Sequence, residues 1–455
     1  MTQALAEPRA EKSAEWFGHP RGLTILFSAE MWERFSYYGM RALLILYMLD
    51  HLLIDPARSG EVIGLDALRR ALEALSGPLG VQPFASQIYG LYTGFVYLTP
   101  ILGGMIADRW LGRRRTVVLG GALMAAGHFL MAFESCFLIA LALLVLGNGA
   151  FKPNIVTQVG GLYDARDARR DRAYSIFYVG INIGAFFSPL IAGTLGERLG
   201  WHYGFVSAGI GMALGLAIYL FGLPLLPSDA PRASAPAAPR ENLARETTGL
   251  LLLFLPSALF WAAYEQQGNT IALFAERFAD RSVDLLVWRG EIPVTWFQAV
   301  NPLMIFLFTP ALVAFWGQLA REGREPSTIA KLAFGCLGVA GSYLVLAGAA
   351  AMNADGKTSS LWLVAYFALL TLGELHFWPI TLSLVSRLAP ERSTLMGLWL
   401  ASNFVGGVAA GRLGGFWSSL SPGAFFALVA AVALAGGVMI LAFRRKLHEL
   451  IGQRA

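Results

Sequence analysis

The chain has 455 residues, 56% of them hydrophobic and 14% charged, with a mean hydropathy of +0.56 and a formal net charge of +5. Soluble domains run nearer to a quarter charged, and apolar stretches of about 20 residues, long enough to cross a bilayer, recur from Leu23 onward. The composition therefore excludes an ordinary soluble globular protein, and two distant cysteines, Cys136 and Cys336, suit small core positions rather than a disulfide or metal site.

Residues 1–21 are polar, with no apolar core ahead of a small-residue cleavage site, so no cleavable signal is expected and the first apolar segment acts as its own insertion signal. That segment, 22–50, carries Glu30, Glu33, Arg34 and Arg41. At about 100° per residue these charges, with Tyr37 and Tyr38, share an arc of about 140° along roughly 16 Å of helix, while Trp32, Phe35 and Gly39 lie outside it. Ionisable groups in lipid cost about 2.5–3.5 kcal/mol each. The stripe must therefore line an aqueous cavity or pair with other helices.

A long connection, 51–85, follows. Within it Leu65, Leu68, Leu72 and Leu75 share one helical face, as in an amphipathic helix lying on a membrane surface. Segments 86–107 and 115–133 flank the run Gly104-x-x-x-Asp108-x-x-x-Gly112-Arg113-Arg114. Segment 136–160 holds Lys152 before Pro153, and segments 173–197 and 202–225 complete a first group. The stretch 226–246 is rich in Pro, Ala and Arg and reads as an exposed, mobile linker. Beyond it come 247–275 with Glu265, 293–319, 328–351, 360–387 with Glu374, 394–419, 422–443 and the tail 444–455.

The twelve segments thus fall six and six about the linker. With both termini cytoplasmic, 23 of the 35 Lys and Arg residues lie in cytoplasmic stretches, 8 in external loops and 4 within segments, the positive-inside bias. The basic runs 113–115 and 166–172 are therefore read as topology signals and not as a nucleic-acid surface. The motif 104–114 is close to the loop motif of major facilitator carriers, and 317–326 (Gly317, Arg321, Gly323, Arg324) occupies the matching place in the second half. The expected fold is an all-α membrane protein of the major facilitator type: 12 transmembrane helices in two bundles, 22–225 and 247–443, with the substrate between them. Glycines 39, 103, 104, 147 and 149 are expected to let helices approach closely.

The central charges are unevenly shared. Arg34, Arg41 and Lys152 are in the first half, and the second supplies the carboxylates Glu265 and Glu374. A cavity with one positive and one negative wall suits a zwitterion, and at about 3.3–3.6 Å per extended residue only two or three residues fit at close quarters. Arg412 and His376 read as structural.

These residues carry a family resemblance. Glu30-x-x-Glu33-Arg34-Phe35-x-Tyr37-Tyr38-Gly39 resembles the first-helix motif of the proton-dependent oligopeptide transporter family. Phe177-Tyr-Val-Gly-Ile-Asn182-Ile-Gly184 resembles its second signature, and Lys152-Pro-Asn, Phe260-Trp-x-x-x-Glu265-Gln266, Asn301-Pro302 and Gly373-Glu374-Leu follow in the family's order. The resemblance implies a proton-coupled symporter of di- and tripeptides, and possible carriage of peptidomimetics, in a multi-pass protein of the cell (inner) membrane that acts as a monomer without cofactor or metal. It implies that Glu30, Glu33, Arg34 and Glu265 couple the proton, with Glu265 releasing a salt bridge to Arg41. Arg34, Arg41 and Lys152 would hold the peptide carboxylate and Glu374 its amino end. Tyr37, Tyr38, Tyr92, Asn182, Asn301 and Trp399 would line the pocket, offering apolar faces with hydrogen bonds.

The chain departs from the family at several points. Gly90 stands where animal members carry histidine, Ala185 where Ser is common, and the linker is too short for the two extra helices of many bacterial members. His376 to Trp378 add bulk one turn beyond Glu374. A nitrate-like or other small-anion carrier is the alternative within the family, but such relatives often lose the paired glutamates present here. A nutrient receptor on the same fold is a further alternative. The sequence has no metal spacing, nucleophile elbow or phosphate loop to suggest an enzyme.

Overall fold

The computed structural model describes residues 15–164, 167–229, 243–285, 288–352, 356–388 and 393–451. In an apolar medium backbone groups must bond within their own segment, and the apolar segments are predominantly helical. The helices are α1 (Arg21–Tyr47), α2 (Leu65–Ser76), α3 (Val81–Ile106), α4 (Arg113–Leu130), α5 (Phe137–Gly161), α6 (Arg169–Ser188), α7 (Trp201–Gly222), α8 (Leu243–Tyr264), α9 (Thr270–Arg277), α10 (Val300–Arg321), α11 (Thr328–Met352), α12 (Leu361–Leu388), α13 (Ser393–Gly415), α14 (Pro422–Ala442) and α15 (Arg444–Ile451). Among the described residues nine helical runs are long and apolar enough to cross a membrane. α1, α4 and α13 are long helices outside that group, α1 with four ionisable residues between positions 30 and 41.

α1 packs on α6 and α7, α3 on α5, and α4 on α5 and α7, which makes one bundle. α8 packs on α13 and α14, α11 on α12 and α14, and α10 on α12, which makes the other. The bundles meet along α3–α13 and α6–α10. The first seam needs small residues: a Cβ on Gly90 would sit 2.6 Å from the Gly411 Cα. Without a hydrophobic drive between helices in lipid, such close backbone approach supplies the packing. Gly103 and Gly149 meet in the same way, but Gly104 faces open space, contrary to expectation.

The two corresponding turns of the halves are each made by a left-handed glycine, Gly112 (φ +74°) and Gly323 (φ +67°). At the first, the Asp229 carboxylate accepts the backbone N–H groups of Arg113 (3.0 Å) and Arg114 (3.2 Å), capping α4. The Arg114 side chain donates to Pro227 O at 2.8 Å and to Leu226 O. The linker's first residues are thus fastened to the loop motif. Its interior, 230–242, lies outside the described residues, and α8 begins at Leu243, inside the expected linker.

The long connection is also shorter than expected, because α3 starts at Val81. Its helix α2 exists, with Leu65 buried and Leu68 and Leu72 packed on the core, but Leu75 is 73% exposed. A second unforeseen feature is a break in the seventh long helix. α8 ends at Tyr264, Glu265–Gly268 form a 3-10 turn, and α9 resumes at Thr270. Gln266 donates to Ala410 O at 2.8 Å and Asn269 accepts from Ser86 at 3.0 Å, so partners on α13 and α3 brace the break.

The start of α1 lies against Leu162 and Leu225, near the linker and the turn before α4. This end of the molecule is here called the terminal end. The opposite, loop end carries α2 and an antiparallel ribbon, β1 (Ser282–Leu285) with β2 (Trp288–Glu291). Hydrogen bonds between the halves gather there. Glu197 accepts from the N–H groups of Val294 and Thr295, both at 2.8 Å, and from the Thr295 hydroxyl at 2.6 Å. Trp296 donates to Thr194 at 2.7 Å, Arg198 to Glu291 O at 2.8 Å, and Gln82 to Gly414 O at 3.0 Å. The molecule is latched at its loop end.

Candidate functional site

The polar stripe of α1 turns inward. Glu30, Glu33, Arg34 and Arg41 are all buried, the least so at 6% exposed. The Arg34 guanidinium holds both Glu33 oxygens, Nε on one and Nη2 on the other at 2.5 Å, a bidentate fork that lysine cannot form. Asn148 of α5 braces the same carboxylate by donating to Glu33 Oε1 at 3.2 Å. Glu30 approaches Arg34 Nε at 3.4 Å, and neither of its oxygens accepts a hydrogen bond among the described residues. Lys152 is within electrostatic reach of Glu30, Glu33 and Arg34, with Nζ 5.9 Å from the Tyr97 ring centroid.

Above this cluster the tyrosines form a wall. Arg34 lies 4.9 Å from the centroid of Tyr37, which stands edge-on to Tyr38 and stacks on Tyr92 at 6.3 Å. Two turns further along α1, Arg41 crosses to the other half. Its Nη2 donates to Glu265 Oε2 at 2.6 Å and its Nε to the Tyr89 hydroxyl at 2.8 Å. Gly268 makes room for this, since a Cβ there would lie 2.1 Å from the Tyr89 hydroxyl oxygen. Glu265 is buried, and its Oε1 has no hydrogen-bond partner among the described residues.

On the second half, Asn301 donates to Glu374 Oε2 at 2.8 Å and to the Thr371 hydroxyl at 2.9 Å. One turn further along α12, Trp378 meets Trp399 at 5.1 Å and Trp261 at 5.0 Å between centroids. Asn182 is buried but spends its amide on its own helix, donating to Tyr178 O at 3.0 Å. His376 is bonded to Leu372 O at 2.7 Å, as a structural histidine would be, and Arg412 is exposed.

The structure therefore brings Glu30, Glu33 and Arg34 together, and sets Arg41 against Glu265 across the halves. Tyr37, Tyr38 and Tyr92 form one wall, with Glu374 and Asn301 held together on the second half. Tyr89, Tyr97, Asn148 and Trp261 were missed. One signal was available: Tyr89, Tyr92 and Tyr97 fall within about 140° of helix arc, as the α1 stripe does. Asn148, between two glycines in an apolar run, carries no such signal.

No group of three or more His, Cys, Asp or Glu side chains among the described residues is placed to hold a metal. The site is one of fixed charges, fork hydrogen bonds and aromatic faces, half of it on each bundle. Such an arrangement can bind a small zwitterion and exchange a proton.

Comparison with known proteins places the chain in a family. Residues 114–242 and 237–422 match the POT family, PTR2. The chain is 33% identical to the peptide transporter YePEPT of Yersinia enterocolitica, over 96% of this chain and 97% of that protein. It is 32% identical, with the same coverage, to a di-/tripeptide transporter of Lactococcus lactis subsp. cremoris. Among solved structures, that of a peptide transporter POT in complex with sulfate is 30% identical, with a TM-score of 0.82 over 96% of this chain and 97% of that one. A POT family transporter in complex with a thioalcohol conjugated peptide is 27% identical, with a TM-score of 0.81 over 95% and 98%. The chain is a member of the POT family.

Proposed function

We propose that this protein is a proton-coupled symporter that imports di- and tripeptides by alternating access. The reading rests chiefly on one observation: Arg41 of the first bundle is neutralised by Glu265 of the second, 2.6 Å away, at the break between α8 and α9. A proton on Glu265 weakens its hold on Arg41, and the freed guanidinium is a fork shaped for a peptide carboxylate. Proton and substrate then favour each other's binding, a reciprocity that linked sites require. Arg34 and Lys152 extend the cationic wall, Glu30 and Glu33 serve as further proton-handling carboxyls, and Glu374, held by Asn301, receives the amino group. Tyr37, Tyr38, Tyr92, Asn182 and Trp399 line the space between.

On this reading twelve helices cross the cell membrane, and the terminal end, with both termini, faces the cytoplasm. The protein acts as a monomer without a cofactor, and compact peptidomimetics are within its range. The domain division is 22–225 and 247–443 about the linker, with 1–21 and 444–455 as cytoplasmic segments. The latch at the loop end then closes the external side. The test is accumulation of labelled dialanine by proteoliposomes under an inward proton gradient. Accumulation above the external concentration supports the proposal, and none from protein shown to be folded refutes it.

A further inference from the structure

One turn from Glu374 on the second half lies a cluster of aromatic rings. α12 carries Trp378 four residues after Glu374, hence on the same face one turn away. The indole of Trp378 is hemmed on three sides. It lies perpendicular to Trp261 at 5.0 Å, tilted 36° to Trp399 at 5.1 Å, and 6.4 Å from Tyr97 of the first bundle. Tyr97 in turn meets Trp261 at 5.5 Å. Four rings from α3, α8, α12 and α13 therefore cluster about one helical turn from Glu374. Trp261 and Trp399 are each at least 95% buried, and their indole N–H groups have no partner among the described residues.

Trp399 also lines a small cleft with Leu250, Leu253, Phe254 and Leu398, into which the hydroxyl-bearing Ser257, Thr381 and Ser402 also face. Trp378 thus stands against a ring that also lines this cleft. Trp378 also immediately precedes Pro379, which cannot donate the usual helix hydrogen bond.

We infer that Trp378 limits the size of the peptide's first side chain. With the amino group at Glu374, the adjoining side chain points at the four-ring floor, and the indole leaves room for a small group only. The inference rests on the peptide reading above and adds a specificity-determining residue to it. Removing the indole vacates its own volume between Trp261 and Trp399, where a bulky apolar side chain gains contact.

The experiment measures competition against labelled dialanine uptake by dialanine, Phe-Ala and Ala-Phe, for the wild-type protein and for Trp378→Ala and Trp378→Phe. A few buried methylene equivalents discriminate by about tenfold or more. The expected result is that Trp378→Ala improves Phe-Ala about tenfold relative to dialanine, with Ala-Phe changed less than about threefold and Trp378→Phe intermediate. Equal shifts for all three competitors, or a gain confined to Ala-Phe, would overturn the inference. Trp378→Phe keeps an aromatic ring in the cluster, so loss of folding in the Ala variant leaves a readable ranking. If the wild-type protein takes up dialanine normally while these rankings fail, the size limit alone falls. If it takes up no peptide, the functional reading falls and the inference with it.

Discussion

Arg41 and Glu265 meet at 2.6 Å across the two bundles, and the Tyr89 hydroxyl holds the other arm of the guanidinium at 2.8 Å. Truncating one partner of a buried pair leaves an uncompensated charge, at a cost of about 3–5 kcal/mol. Arg41→Lys keeps the charge but loses the fork. It is expected to weaken peptide binding by more than about tenfold, whereas Tyr89→Phe, which removes one hydrogen bond and leaves the guanidinium on Glu265, falls less far. Competition binding at fixed pH ranks the two, and a Tyr89→Phe variant worse than Arg41→Lys would contradict the assignment.

Asn148 is the neutral brace of the Glu33–Arg34 fork. Replacing it with Ala leaves the buried carboxylate one donor short, worth about 1–3 kcal/mol. A lower melting temperature is expected, with uptake impaired under a proton gradient, while Asn148→Asp is worse because it places a second carboxyl beside Glu33. Thermal unfolding in detergent, paired with uptake, checks this. Equal behaviour of the Ala and Asp variants would remove the electrostatic account.

Glu197 caps the start of the turn that leads into α10 on the other bundle, through two backbone N–H groups and the Thr295 hydroxyl. Loss of such a cap costs about 0.5–2 kcal/mol. Glu197→Ala should therefore shift the population away from the state closed at the loop end by up to about thirtyfold. Spin labels at Tyr203 and Glu291, both exposed near this seam, should show a longer-distance component in the variant. An unchanged distance distribution would mean that the latch does not hold the seam.

At the terminal end, Asp167 is held below the ordinary carboxylate range by the side chain and backbone N–H of Arg169, which also reaches Glu15 at 2.9 Å. A depressed carboxyl pKa contributes stability that is complete above the unfolded value of about 3.9 and is lost as pH falls through the folded value. The Asp167–Arg169 contribution to the docking of residues 15–20 should therefore be unchanged between about pH 7 and pH 5, measured in a His19→Gln background because the imidazole also bonds Tyr163. Hydrogen exchange of that segment tests this. Loss of protection between those values would show that the segment takes part in the pH response.

How much of this was legible follows from what a sequence pattern records. Four charges in one apolar segment are conspicuous, so the α1 stripe, its inward face and its counter-charges could be read directly. The corresponding loop motifs at 104–114 and 317–326 were legible, and the structure turns each on a left-handed glycine, Gly112 and Gly323, a backbone that few other residues tolerate. The break after Tyr264 was not read, although Gln266-Gln267-Gly268-Asn269 is unusual inside an apolar helix; braces from Ala410 and Ser86 make it tolerable. Leu75 shares the periodicity of Leu65, yet it lies at the end of α2, where no neighbouring helix covers it. Glu197 was illegible for another reason. Nothing local to a carboxylate says which helix start, about a hundred residues later, will lie beside it.

The most direct measurement compares the Glu265→Gln variant with the wild-type protein in two modes in the same proteoliposomes. One is peptide counterflow without a proton gradient, and the other is accumulation driven by one. The account predicts that the variant retains counterflow while gradient-driven accumulation falls at least about tenfold and loses its pH dependence, because glutamine holds Arg41 without exchanging a proton. Accumulation that stays fully gradient-driven and pH-dependent in the variant would contradict the central role given to the Arg41–Glu265 pair.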